Sequence, residues 1–217
     1  MAGGRGQRRP AMFYPLMSML KHHRVLLLLT TVMSCEQAQT HPAQTPSART
    51  AADTMTTAMR EALERFRTTV QVAPPATVSG GAASRDDLVS RFVEAVQRAD
   101  TAALIGMTMN RAEFAYLYYP YSIYTHRPYE LDAETTWLLT KGNTEKGLTR
   151  ILQRFGGQAF NLVSYRCAEP KQEGPNRYWD GCTLTRTIDG APHTMRWFGS
   201  IWERDGHFKF VSYANDM

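Results

Sequence analysis

The chain has 217 residues, 43% of them hydrophobic, with 25 Lys+Arg against 20 Asp+Glu and three cysteines. Five of the bases (Arg5, Arg8, Arg9, Lys21, Arg24) precede Cys35 and no acid does, so 20 of each sign remain from Cys35 onward and no nucleic-acid argument survives. The longest apolar run, residues 25–33, is about nine residues against the roughly 20 a membrane-spanning helix needs, which excludes an ordinary transmembrane helix.

A basic stretch, a short apolar core and then small residues form the layout of a secretory signal peptide. The tetrapeptide Val32-Met33-Ser34-Cys35 resembles a bacterial lipobox, departing from it at Met33. That resemblance implies a signal peptide of the lipoprotein type over residues 1–34, with Cys35 taking lipid and the protein held on the periplasmic side of the cell envelope. Ordinary secretion with an incidental Cys35, or a retained internal segment, are the alternatives. With Cys35 so used, Cys167 and Cys182 remain as a pair. They flank a Pro- and Gly-rich turn between two strand-like runs, which predicts a structural disulfide. Closing that loop would stabilise the fold by about 3 kcal/mol in the chain-entropy picture.

Residues 36–52 are mostly Gln, Thr, Ala, Pro and Ser, the composition of a flexible tether. Met55, Met59, Ala62, Leu63 and Phe66 then recur at helical spacing and predict one amphipathic helix over 53–69. It could dock on the domain, pair with a partner or stay mobile. "VAPPATVSGGAAS" reads as a second linker, so the tether region spans 35–83. All four Trp and nine of ten Tyr lie beyond it, placing a single folded domain at 84–217.

Within that domain, Ser84 with Asp87 predicts a helix start, followed by an apolar stripe of Leu88, Val89, Phe92, Val96 and Ala99. Asp100 caps a short helix through Leu104. Asn110 with Glu113 caps another that Pro120 ends. Two further helices are expected over 132–139 and 144–155, the second stopped by Gly156-Gly157. Four strand-like runs close the chain: "FNLVSYRC", "YWDGCTLTRTI", "TMRWFGSIWER" and "HFKFVSY", with Asp189-Gly190 and Asp205-Gly206 as hairpin turns. Helices first and strands after predict an α+β fold, with N-terminal helices on an antiparallel sheet of about four strands.

Two stretches carry a family resemblance. "DLVSRFVEAVQRADTAALIGM" resembles the opening helices of the nuclear transport factor 2-like superfamily, and "MRWFGSIWERDGHFKFVSY" resembles its closing hairpin. Together they cover about 40 of the domain's residues. The resemblance implies a curved, cone-like sheet around an apolar pocket. Members include isomerases, dehydratases and binding or scaffolding domains, so it does not by itself name a function.

The segment "EFAYLYYPYSIYTHRPYELD" is dense in tyrosine. Its rings suit the mouth of a ligand pocket, or anchor a long loop to the body. Tyr116, Tyr118, Tyr121, Tyr124, Trp137 and Trp197 are therefore ligand-binding candidates. Trp197 and Trp202 have opposite strand parity, which would bury one and expose the other. Glu113, Asp132 and Glu134 are the acids near the tyrosines, although capping alone accounts for Glu113 and Asp132. Lys141, Lys146 and Arg150 surround an expected helix start and form either an anion site or a solvated face. His126, His193 and His207 are too scattered for a metal site, and no cofactor motif occurs. The expected function is an extracytoplasmic lipoprotein, anchored to the bilayer through Cys35, whose domain binds a small apolar or glycan-like ligand or an envelope protein. An isomerase- or dehydratase-like enzyme and a purely structural interaction domain are the rivals.

Overall fold

The computed structural model describes residues 55–217; Cys35, the leader and the first part of the tether lie outside the described residues. Helix α1 (Thr57–Thr68) starts where the Thr56 side chain accepts a hydrogen bond from the Met59 N–H. Its apolar stripe of Met59, Leu63 and Phe66 is buried against the segment after residue 107. Of the three fates open to this helix, docking is the one observed. The following stretch also lies on the body, with Val70, Val78 and Ala82 buried and Ala82 bridged to Phe208.

Capping signals place the next helices. Ser84 and Asp100 each accept from an N–H three residues on, opening α2 (Arg85–Gln97) and α3 (Thr101–Gly106). The inward stripe of α2 uses Ala95 where the spacing suggested Ala99, which lies past the helix end at a positive φ of 50°. Asn110 and Glu113 form a complete capping box, but α4 (Arg111–Glu113) lasts one turn before widening into a π-type turn over Phe114–Tyr118 and 3-10 turns to Thr125. Asp132 then caps α5 (Ala133–Phe155). Hydrogen bonds from Thr135 hold the Asp132 carboxyl below the usual carboxylate range. The two helices expected here are one: Lys141-Gly142-Asn143 continues the helix, since a lone glycine costs only about 1 kcal/mol and packing elsewhere offsets it.

The strand half contains seven strands in two antiparallel sheets, against the four runs expected. "YWDGCTLTRTI" breaks at Asp180-Gly181 into β3 (Asn176–Trp179) and β4 (Thr183–Ile188), which join different sheets. "TMRWFGSIWER" breaks likewise into β5 (Ala191–Met195) and β6 (Ile201–Arg204). With β1 (Leu162–Arg166), β2 (Lys171–Glu173) and β7 (His207–Phe210), the sheet orders are β1-β4-β5 and β2-β3-β6-β7. The Cys167–Cys182 disulfide forms as expected, tying the end of β1 to the bend between β3 and β4. Such a bond persists in oxidising, extracytoplasmic surroundings.

Alternation along a strand sends successive side chains to opposite faces. The four-stranded sheet is buried on both. One face presents Trp179, Ile201 and Phe210 to the core built by α2, α3 and the end of α5. The other presents Tyr178, Trp202 and Lys209 in a row across β3, β6 and β7, covered by α1 and the tyrosine segment. Both tryptophans of the parity comparison are consequently buried. Trp202 sits under the second layer, and Trp197 lies between β5 and β6 within the main core. The Trp197 ring is 4.6 Å from those of both Phe155 and Phe160, with the Arg186 guanidinium over the same cluster.

Lys209 is 3% exposed and Glu113 is not exposed at all. The Lys209 ammonium donates to both Glu113 oxygens, at 3.0 and 2.8 Å. Glu113 also accepts from the Ser79 N–H and hydroxyl and from the Asn110 N–H, at 2.8, 3.1 and 2.9 Å. One carboxylate thus joins β7, the α4 turn and the segment after α1.

Gly147 is the tightest point of α5: an added Cβ would stand 1.7 Å from the Tyr213 carbonyl oxygen, whereas Gly142 faces nothing within 4 Å. The same substitution should therefore have opposite signs at the two sites. Gly142→Ala should stabilise by about 0.5–1 kcal/mol through helix propensity. Gly147→Ala should destabilise by about 2 kcal/mol or more through overpacking. Urea denaturation of both variants checks the pair.

Candidate functional site

Trp137 alone among the predicted ligand-binding residues reaches a cavity lined by apolar side chains. It stands on the second turn of α5, half-buried, its ring 5.3 Å from that of Phe114. The groove beside it, about 270 Å³, runs between α5 and the chain from Ile105 to Arg111. Ile105, Met109 and Trp137 give it apolar walls. Its three threonines have their hydroxyl protons committed to backbone carbonyls: Thr108 to Ile105, Thr140 to Thr136 and Thr144 to Thr140. The groove accordingly has no spare hydroxyl donor, although Thr, Lys and Glu all border it. Charge is confined to its rim, where Lys141 pairs with Glu145 at 2.6 Å and Arg111 lies 3.6 Å from Glu134. Apolar walls with charged groups beside them suit a small, largely apolar body with a polar end.

The tyrosines are placed by packing instead. The Tyr118 ring is buried, edge-on to Tyr178 and Trp202 at 5.6 and 6.0 Å. Tyr119 is buried and donates to the Leu131 carbonyl at 2.8 Å. Tyr116 lies under the Arg67 guanidinium and Tyr121 under that of Arg204. Tyr121 also rests on Gly174, whose positive φ of 58° and missing Cβ admit the ring. Tyr124 packs on Tyr129. Tyr116, Tyr118, Tyr119 and Tyr124 pack in the layer over the second face of the four-stranded sheet, while Tyr129 is half exposed. Trp197 is enclosed in the main core.

The acids considered for proton transfer have structural partners. Glu113 is enclosed with Lys209, Asp132 caps α5, and Glu134 faces Arg111. Lys146 and Arg150 stand in the middle of α5, so the helix N-terminus expected beside them for an anion does not exist there.

A second, wider hollow of about 570 Å³ opens beside the disulfide, bordered by Arg85, Asp86, Tyr165 and Trp179. Tyr165 donates to the Asp86 carboxylate, and burial together with that bond pushes its phenol up to about 12. Arg85 lies over the Trp179 ring at 4.8 Å. Arg85, Asp86, Arg166 and Glu169 line this hollow, which leaves it less suited to an apolar ligand than the Trp137 groove.

Comparison with protein-family models, with curated proteins and with solved structures finds no match for this chain.

Burial raises the phenols of Tyr118, Tyr178 and Tyr213 as well as Tyr165. A raised folded-state value means stability that is intact below the ordinary phenol pKa of about 10 and is lost as pH climbs past it. We expect alkaline unfolding in which phenolate absorbance rises cooperatively with loss of near-ultraviolet circular dichroism. Tyr165→Phe should remove only the part near pH 12. Independent titration of all phenols near 10 in a folded chain would contradict the burial assignment.

Proposed function

We propose that this protein is an extracytoplasmic lipoprotein, tethered to the bilayer by an acylated Cys35, whose α+β domain binds a small, largely apolar molecule in the groove beside Trp137. The compartment is supported by the Cys167–Cys182 disulfide. The anchor rests on the leader's layout and the lipobox-like residues before Cys35. Among the described residues no helix is long and apolar enough to cross a membrane. The resemblance to the nuclear transport factor 2-like superfamily belongs to the same proposal. It is supported by α2, the Asp100-capped α3 and the β6–β7 hairpin, which lie in the two stretches that carry the resemblance.

The observation that carries the binding reading is the inward bonding of Thr108, Thr140 and Thr144. Threonines on a groove wall would ordinarily make it polar; with their protons spent on the helix backbone, the wall behaves as apolar surface around a half-buried indole. A ligand would lie along Ile105, Met109 and Trp137, with its polar end at the Lys141–Glu145 rim.

Dodecanoate and dodecanol are suitable probes, giving the same apolar body with and without charge. Either should change the fluorescence of the full chain, and Trp137→Ala should weaken binding roughly tenfold or more, as loss of a large aromatic contact does. Saturable binding unaffected by Trp137→Ala, or no binding of either probe, would overturn the groove assignment. For the anchor, Cys35→Ala should release the protein from membranes, and unchanged retention would count against acylation there.

A further inference from the structure

Helix α5 carries an outward face that the groove does not use. Leu138 and Leu139 are 58% and 56% exposed on adjacent positions of it, and Ile105 across the groove is 55% exposed. At 3.6 residues per turn, Lys146 and Arg150 fall on the Leu139 side of the helix, roughly two and three turns further along. Both are exposed, and among the described residues neither enters an ion pair. The acids bordering the face are already matched. Glu145 is held by Lys141, and Glu134 faces Arg111. The inward side of α5, through Ala133, Thr136, Gly147, Leu148 and Ile151, is buried. The result is a rigid helix side with apolar side chains at one end and unpaired cations at the other.

We infer that this face of α5 is a membrane-docking surface for a bilayer bearing anionic headgroups: Leu138 and Leu139 enter the headgroup–acyl boundary while Lys146 and Arg150 meet the phosphates. Charge complementarity selects this occupant. A protein partner of apolar surface would leave the two cations unmatched. An anionic lipid surface uses both halves of the face at once, as interfacial helices with apolar and basic sides do. The surface itself does not rest on the groove binding anything, so each can fail without the other.

Trp137, beside Leu138, is the reporter. Full-length chain is mixed with vesicles of brominated phosphatidylglycerol or brominated phosphatidylcholine, and Trp137→Phe supplies the background from the three buried tryptophans. Quenching is expected with phosphatidylglycerol at roughly thirtyfold less lipid than with phosphatidylcholine, about what two surface cations provide. Lys146→Glu with Arg150→Glu should abolish that preference, and Leu138→Asp with Leu139→Asp should abolish quenching on both lipids. All four positions are exposed, and unchanged thermal melting confirms that the variants fold. Equal quenching in the parent and both double variants would mean that lipid reaches Trp137 only through the groove, and this would overturn the docking surface. Absent quenching in the parent, or no lipid preference, would overturn it too.

Discussion

Glu113 and Lys209 meet where water does not reach, and the second layer of the structure hangs on that contact. A buried ion pair is not by itself a large source of stability, because removing two charges from water costs about as much as their attraction returns. Its effect is on specificity. Every oxygen of Glu113 is occupied, by Lys209 from the sheet, by Ser79 from the segment after α1 and by Asn110 from its own cap. Any compact arrangement that parts Glu113 from Lys209 while keeping both from water leaves an uncompensated buried charge, which is strongly unfavourable.

That constraint propagates to the groove. Glu113 fixes the α4 turn, and Phe114 follows it directly. Phe114 contacts Trp137 on one side and Phe66 of α1 on the other, at 5.3 and 5.5 Å. The position of the indole is therefore set by a chain of contacts running from β7 through the ion pair to α5. The groove wall formed by Met109, Asn110 and Arg111 is the same stretch that opens the capping box. Groove wall and layer clamp are neighbouring parts of one element.

Local chemistry was the legible part of the sequence. Ser84, Asp100, Asn110 and Asp132 act within three residues of themselves, and each opens a helix where its spacing indicated. The α+β order and the disulfide were readable for a similar reason, since hydrophobic period and cysteine number need no knowledge of distant partners. What stayed hidden depends on long-range pairing. Lys209 alternates with Phe208 and Phe210, a pattern that reads as a polar outer face, and only the covering layer of α1 and residues 109–119 makes that face a second core. Glu113 read as a cap, which it is, yet its partner lies 96 residues away. The strand runs looked continuous because Asp180-Gly181 and Phe198-Gly199 are brief, and the change of sheet at each is a tertiary event. In the groove, Trp137 was among the candidates, but the threonines were not. The inward bond of Thr144 to the Thr140 carbonyl depends on helix α5 running unbroken through Gly142, which a glycine between two charged clusters obscured.

Amide hydrogen exchange on Lys209→Met, compared with the parent chain, tests most directly whether the ion pair holds the second layer. The pair predicts that α1 and residues 114–119 lose protection by several orders of magnitude, as the roughly 3–5 kcal/mol cost of breaking a buried pair implies, while α2 and the β1-β4-β5 sheet keep theirs. Protection unchanged across α1, or lost evenly through both layers, would contradict it.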